Sequence, residues 1–161
     1  IGQAIARRCH YGFDMPVIYF NRSQKEVEVP SRQVDDLASL MSQADIIVVT
    51  VPGGADTRAL IDAEAIAQMD PSAVFINVAR GDVVDEPALI AALSEGRIAA
   101  AGLDVYAREP LVPQELRQME NVVLLPHLGT AALEVREAMG QMALDNIIAW
   151  AAGDSLPQQV V

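Results

Sequence analysis

The stretch Ala73-Val74-Phe75-Ile76-Asn77-Val78-Ala79-Arg80-Gly81-Asp82-Val83-Val84-Asp85-Glu86, followed by Pro87-Ala88-Leu89-Ile90-Ala91-Ala92-Leu93, decides the fold of this chain. Its first four residues form a short apolar run and predict a buried parallel strand. Pro87 suits the first turn of a helix, where its missing N–H is not needed. Arg80 is therefore expected at the carboxyl end of a strand, just ahead of a crossover helix. In open α/β sheets that edge is where ligands bind. A guanidinium there can hold a carboxylate through two parallel hydrogen bonds. An Arg-Gly pair in a polar βα loop can equally be ordinary surface, so the rest of the chain has to decide.

Working outward, the same alternation recurs. Ile46-Ile47-Val48-Val49 predicts a strand covered by helices on both faces, with Thr50-Val51-Pro52-Gly53-Gly54 as the turn after it. Val17-Ile18-Tyr19-Phe20, Ala99 to Asp104 and Val122 to Leu125 predict further strands, and Val27 to Val29 a short extended piece. Helices are expected over Gly2 to Arg8 (ended by Tyr11-Gly12), Val34 to Ser42 with Leu37, Leu40 and Met41 inward, Ala63 to Met69, and Ala132 to Ala151 with Gly153 as its cap. His10 reads as a solvated helix-end residue, and Trp150 and the methionines as core or interface. The tail after Gly153 is polar and expected to be loose. Strands alternating with helices predict an α/β fold with a parallel sheet.

The chain has 161 residues, 52% hydrophobic and 20% charged, which is enough for one sizeable core. The net charge of -11 is spread along the chain with no long basic run, which argues against nucleic acid and anionic membrane as partners. Cys9 is the only cysteine, so neither an internal disulfide nor a cysteine-based metal site is expected, and no metal is. That usage fits a reducing, cytoplasmic setting. No apolar run is long enough to span a membrane and no signal peptide is visible. Ile1-Gly2 opens directly in a helical pattern, so upstream sequence is expected to be missing.

A dinucleotide-binding unit begins strand, G-x-G-x-x-G, helix. Only Gly2 stands here at a helix start. Downstream, where an acidic residue about 20 positions on would bond the ribose hydroxyls of NAD, this chain has Asn21-Arg22-Ser23. A carboxylate there would repel a 2′-phosphate, whereas Arg22 can pair with one. The expected cofactor is NADP, with NAD possible.

Several stretches together resemble the D-isomer-specific 2-hydroxyacid dehydrogenases: Ile1-Gly2-Gln3-Ala4-Ile5-Ala6, Ile76 to Gly81 with Val83-Val84-Asp85-Glu86, Ala101-Gly102-Leu103-Asp104-Val105-Tyr106 with Glu109-Pro110, and Pro126-His127-Leu128-Gly129-Thr130. They stand in the family's order and spacing and span nearly the whole chain. Asn21-Arg22-Ser23 and Gly153-Asp154-Ser155-Leu156-Pro157 look most like the glyoxylate/hydroxypyruvate and 2-ketogluconate reductase branch. The resemblance implies a Rossmann-like doubly wound parallel sheet lacking its first strand in this chain. It implies a nucleotide-binding domain over residues 1–130, and over 131–161 a C-terminal helix and tail returning toward a substrate domain. Such a fragment alone is expected to be inactive, and its parent active.

The resemblance also carries over Arg80, Glu109 and His127 as catalytic residues. Each makes chemical sense. Reducing a 2-keto acid needs a hydride at the carbonyl carbon and a proton at its oxygen. His127 can give the proton, as a residue type whose unperturbed pKa lies near neutrality. Glu109 can bond its other ring nitrogen. Arg80 can hold the substrate carboxylate and stabilise the forming alkoxide. For the cofactor, the resemblance implies Ile1 and Gly2 in the glycine loop, Val51 and Pro52 on the adenine side, and Thr57 approaching it. Val78 and Ala79 would flank the nicotinamide, Asp104 partner its amide, and Gly129 allow close approach. Two departures stand out: Thr130-Ala131-Ala132, and Gly53-Gly54 where many relatives have Leu and Thr, which is expected to loosen the adenine-side loop. The implied activity is reduction of glyoxylate, hydroxypyruvate or a similar small 2-keto acid, in a homodimer. The alternatives are 3-phosphoglycerate or formate dehydrogenase, or a dinucleotide-sensing corepressor.

Overall fold

The computed structural model describes residues 1–23 and 25–160; Val161, the last residue of the expected tail, lies outside them. The chain divides into two compact units, Ile1–Pro126 and His127–Val161.

The first unit holds two parallel sheets. Strands β1 (Val17–Tyr19) and β2 (Ser31–Gln33) form one. Strands β3 (Ile46–Val49), β4 (Val74–Asn77), β5 (Ala100–Leu103) and β6 (Val122–Leu124) form the other, in the order β3-β4-β5-β6. These match the two flanks of the doubly wound order 3-2-1-4-5-6 with one further strand, β6, added at the far edge, and the strand that would join the flanks is supplied by no described residue of this chain. Helix α1 (Gly2–Phe13) precedes β1 and α2 (Leu37–Gln43) precedes β3, while α3 (Ala63–Ala67), α4 (Glu86–Ser94) and α5 (Gln114–Gln118) link β3 to β4, β4 to β5 and β5 to β6.

Local chemistry explains most boundaries. Asp36, Asp62 and Asp85 cap α2, α3 and α4, each carboxylate accepting the N–H three residues on, at 2.6, 2.9 and 3.1 Å. Pro87 stands in the first turn of α4 as expected. Phe75, Met41, Ile66, Ile98 and Leu116 are the largest fully enclosed apolar side chains of the core. In β3 the pleat buries Ile47 and Val49, while Ile46 remains 44% exposed. The cover expected on both faces of β3 is therefore complete on one.

Several expectations need correction. Helix α1 does not end at Tyr11-Gly12 but runs on to Phe13. It closes at Asp14, whose φ of 55° is a left-handed conformation that Asp tolerates. The extended piece is not Val27 to Val29 but Ser31–Gln33: register is set by pairing with β1, and a polar strand carries no apolar signal. Buried Val29 and Val34 flank it as anchors instead. His10 is half-buried, its Nδ1 3.1 Å from the Met15 carbonyl oxygen.

The second unit is α6 (Leu133–Ala152), closed by Gly153 at φ 77°, and the tail. Within its described part the tail is tied down at Gln158 rather than loose: the Asn146 amide bonds Gln158, and the Gln158 N–H donates back to Asn146 Oδ1 at 3.2 Å. Met139, Met142 and Trp150 of α6 are exposed, so the core half of their expected role is not met, whereas Met41 and Met69 are core. Among the described residues no helix is long and apolar enough to cross a membrane.

Candidate dinucleotide and substrate site

The loops that follow β3 and β4 are stitched together. Ala59 N–H donates to the Asp82 carbonyl at 2.8 Å, Ile61 N–H to that of Val83 at 3.0 Å, and Asp85 N–H to that of Ile61 at 2.9 Å. They share a cleft of about 620 Å³, within the usual range of small-molecule sites. Ile1, Val51, Pro52, Val78, Ala79 and Arg80 all line it. Six residues expected from separate motifs are thus brought to one place.

Arg80 is set by the turn that carries it. Asn77, 2% exposed at the end of β4, donates through Nδ2 to the Arg80 carbonyl at 3.0 Å. Its Oδ1 accepts the Ala79 N–H, also at 3.0 Å. The arginine side chain bonds the Ala79 carbonyl through Nη1 at 2.7 Å and lies against Gly53, where a Cβ would come within 2.8 Å of Arg80 Cγ. The expectation that Gly53-Gly54 loosens this loop meets a different finding: at Gly53 the missing side chain admits the arginine. Thr57 is buried, and its hydroxyl donates to the Pro52 carbonyl at 2.7 Å, which fixes the same loop from beneath.

Gly81 needs to be glycine. A Cβ there would sit 1.9 Å from the carbonyl carbon of Tyr106, so the backbones after β4 and β5 touch directly. Tyr106 anchors the second of them. Its hydroxyl lies 2.8 Å from the Leu125 carbonyl oxygen and 3.1 Å from that of Leu103. Burial pushes the phenol pKa up, and the nearby Asp104 carboxylate adds to the shift. Two carboxylates hold the following turn by consecutive amides: Glu109 Oε1 accepts the Tyr106 N–H and Glu86 Oε2 that of Ala107, each at 3.1 Å. The Leu111 N–H donates to the Arg108 carbonyl at 2.8 Å, closing the turn that carries Glu109. Asp104 is buried at the end of β5, its N–H donating to the Asn77 carbonyl at 3.1 Å.

The sequence points to no role for Asn77, Glu86 or Tyr106. Asn77 carried a readable signal, a polar residue closing an otherwise apolar strand. The others depend on partners far along the chain.

At the amino end, Gly2 opens α1 and packs on Thr50, whose Oγ1 would lie 2.8 Å from a Cβ at that position. Ile1, the N-cap, makes no side-chain cap, so the first N–H groups of α1 begin beside the cleft that Ile1 lines. A helix N-terminus is suited to phosphate. Asn21, Arg22 and Ser23 stand apart from the cleft-lining residues, in the loop after β1, where Asn21 Nδ2 bonds the Ser23 carbonyl at 2.7 Å. Arg22 Nη1 meets Asp56 Oδ2 at 3.2 Å. This donor set fits a dinucleotide with a 2′-phosphate: a helix end for the pyrophosphate, close-packed glycines, and a guanidinium after β1. In the second unit, His127 has a φ of 54°, and a Cβ at Gly129 would meet nothing within 4 Å.

Comparison with known proteins accords with this arrangement. Residues 1–129 match the family profile described as D-isomer specific 2-hydroxyacid dehydrogenase, NAD binding domain. A glyoxylate/hydroxypyruvate reductase B of Enterobacter agglomerans is 48% identical over 157 residues, covering 95% of this chain and 48% of that protein. A glyoxylate reductase of Pyrococcus furiosus is 44% identical over 163 residues, 99% of this chain and 48% of that one. Among solved structures, the NADPH-dependent glyoxylate/hydroxypyruvate reductase of Sinorhizobium meliloti, in complex with NADP and malonate, superposes with a TM-score of 0.93 at 38% identity. It covers 100% of this chain and 50% of that one. The chain spans about half the length of the curated relatives it matches. Rossmann-type in fold and matched over most of its length, this chain belongs to the D-isomer-specific 2-hydroxyacid dehydrogenases, as their NAD(P)-binding domain.

Proposed function

We propose that this chain is the nucleotide-binding part of an NADPH-dependent reductase of a small 2-keto acid such as glyoxylate or hydroxypyruvate. The observation that carries the reading is Arg80, which ends the β4 turn on the wall of the shared cleft in a chain of this family. When bound, the nicotinamide supplies the hydride. Arg80 holds the substrate carboxylate and stabilises negative charge on the carbonyl oxygen as it forms. His127 gives that oxygen its proton, and Glu109 fixes the orientation of its ring. Val78 and Ala79 flank the nicotinamide, Asp104 partners its amide, and Gly129 leaves room for it. Val51 and Pro52 form the adenine side, Ile1 and Gly2 belong to the glycine loop, and Thr57 approaches the cofactor. Asn21, Arg22 and Ser23 receive the 2′-phosphate. The names of the Enterobacter and Sinorhizobium relatives favour a reductase of this substrate class over the phosphoglycerate, formate and corepressor readings.

The domain boundary falls near residue 130, with α6 returning toward a substrate domain, and the protein works in the cytoplasm. A homodimer is part of the proposal, supported by the exposed Met139, Met142, Ile147, Ile148 and Trp150 of α6. Kinetics on the full-length polypeptide test the chemistry. His127→Ala should lower turnover about 100- to 10,000-fold while dinucleotide binding survives. Turnover near wild type would remove the proton-donor role, and equal efficiency with NADPH and NADH would remove the cofactor preference.

A further inference from the structure

Arg22 stands opposite an acid that its own loop does not contain. Its Nη1 is 3.2 Å from Asp56 Oδ2, across 34 positions of sequence. The two side chains are 72% and 80% exposed, so neither packing nor burial holds them together. Their backbones, however, are well placed. Asp56 lies in a 3-10 turn, Ala55–Thr57, anchored by the buried Thr57 hydroxyl on the Pro52 carbonyl and by the Thr57 N–H on that of Gly54 at 3.2 Å. Gly53 and Gly54, which lead into that turn, line the cleft. Arg22 sits in the turn closed by the Asn21 amide on the Ser23 carbonyl. A second cleft-side pair repeats the theme, with Arg58 Nη2 3.9 Å from Asp82 Oδ2.

We propose that Asp56 is a specificity-determining residue that works against Arg22. An acid in the loop after β1 discriminates against NADP by repelling its 2′-phosphate. Here the acid is delivered from the β3 loop instead, where no reading of the β1 loop detects it. It occupies one end of the guanidinium that a 2′-phosphate must engage, and it sets a like charge beside that phosphate. The discrimination between cofactors with and without the phosphate is therefore smaller than Arg22 alone would confer. Because the pair is exposed, its effect on folding is slight. Its effect on a multiply charged ligand competing for the same guanidinium is larger. This inference rests on the proposal that Arg22 receives the 2′-phosphate.

Calorimetric titration of the full-length polypeptide tests it with adenosine 2′,5′-bisphosphate and 5′-AMP, which differ only in the 2′-phosphate. Asp56→Asn should tighten the bisphosphate by about 3- to 10-fold and leave 5′-AMP unchanged. Arg22→Gln should weaken the bisphosphate alone, and in the Arg22→Gln background Asp56→Asn should lose most of its effect. If Arg22→Gln weakens the bisphosphate but Asp56→Asn leaves it unchanged or weakens it too, Asp56 does not oppose the phosphate and the proposal falls by itself. If Arg22→Gln has no effect, the reading of Arg22 falls and takes the proposal with it.

Discussion

The turn after β4 and the loop after β1 both end parallel strands at the ligand edge, yet they are built in opposite ways. The first is over-determined. Asn77 ties both ends of the Val78–Arg80 turn, Gly81 touches the Tyr106 backbone, and Glu86 and Glu109 hold the neighbouring amides. Among the described residues, the second is held by side-chain bonds from Asn21 to the Ser23 carbonyl and from Gln33 to the Asn21 carbonyl, and by one exposed ion pair. Chemistry at a carbonyl tolerates little misplacement of the group that polarises it. Discrimination of a peripheral phosphate needs only the right charge in roughly the right place. The contrast in rigidity follows the contrast in task.

The sharpest way to break this comparison is at Gly81. Gly81→Ala forces a Cβ into the Tyr106 backbone, which cannot move without disturbing Glu109. It should cost about 3 kcal/mol or more, seen as a large drop in the denaturation midpoint. A variant as stable as wild type would mean the two backbones slide freely. Tyr106→Phe is the next largest. It removes the hydroxyl shared by the Leu125 and Leu103 carbonyls, for a loss of about 1 kcal/mol. The pH dependence has a definite sign. The folded phenol pKa lies above its unfolded value, about 10. Its stabilising contribution is therefore full below that value and lost as pH rises through the raised one. Wild type should accordingly lose stability in that alkaline window faster than Tyr106→Phe; parallel profiles would place the tyrosine outside the fold's energetics. At the small end, Arg22→Ala should change stability by less than about 0.5 kcal/mol, measured by the same denaturation. A larger loss would show that the β1 loop is as constrained as the β4 turn.

Much of the architecture was legible in the residues. Ile46 to Val49 forms the strand expected of it, and Val74 to Asn77 departs by one position. Short apolar runs bounded by Asp caps and Pro at a first helical turn specify elements locally. The β2 strand was misread for the complementary reason. Ser31–Gln33 has no apolar alternation, and only its pairing with Val17–Tyr19 makes it a strand. Among site residues, Arg80 stood out by its place at a strand end ahead of a crossover helix, whereas Ile1, Val51, Pro52, Val78 and Ala79 were named through the family resemblance; the structure adds that all six line one cleft.

By itself, then, the sequence determined the strand–helix alternation, the family, and the residue types available for chemistry. All of these depend on neighbours within a few positions. Only the tertiary structure decided that Asp56 faces Arg22, that Glu86 reaches the Ala107 amide 21 positions away, and that Gly81 must make room for Tyr106. Such contacts arise when parallel strands bring the ends of distant loops to one edge. No local propensity records them, because their partners meet only after the sheet has formed.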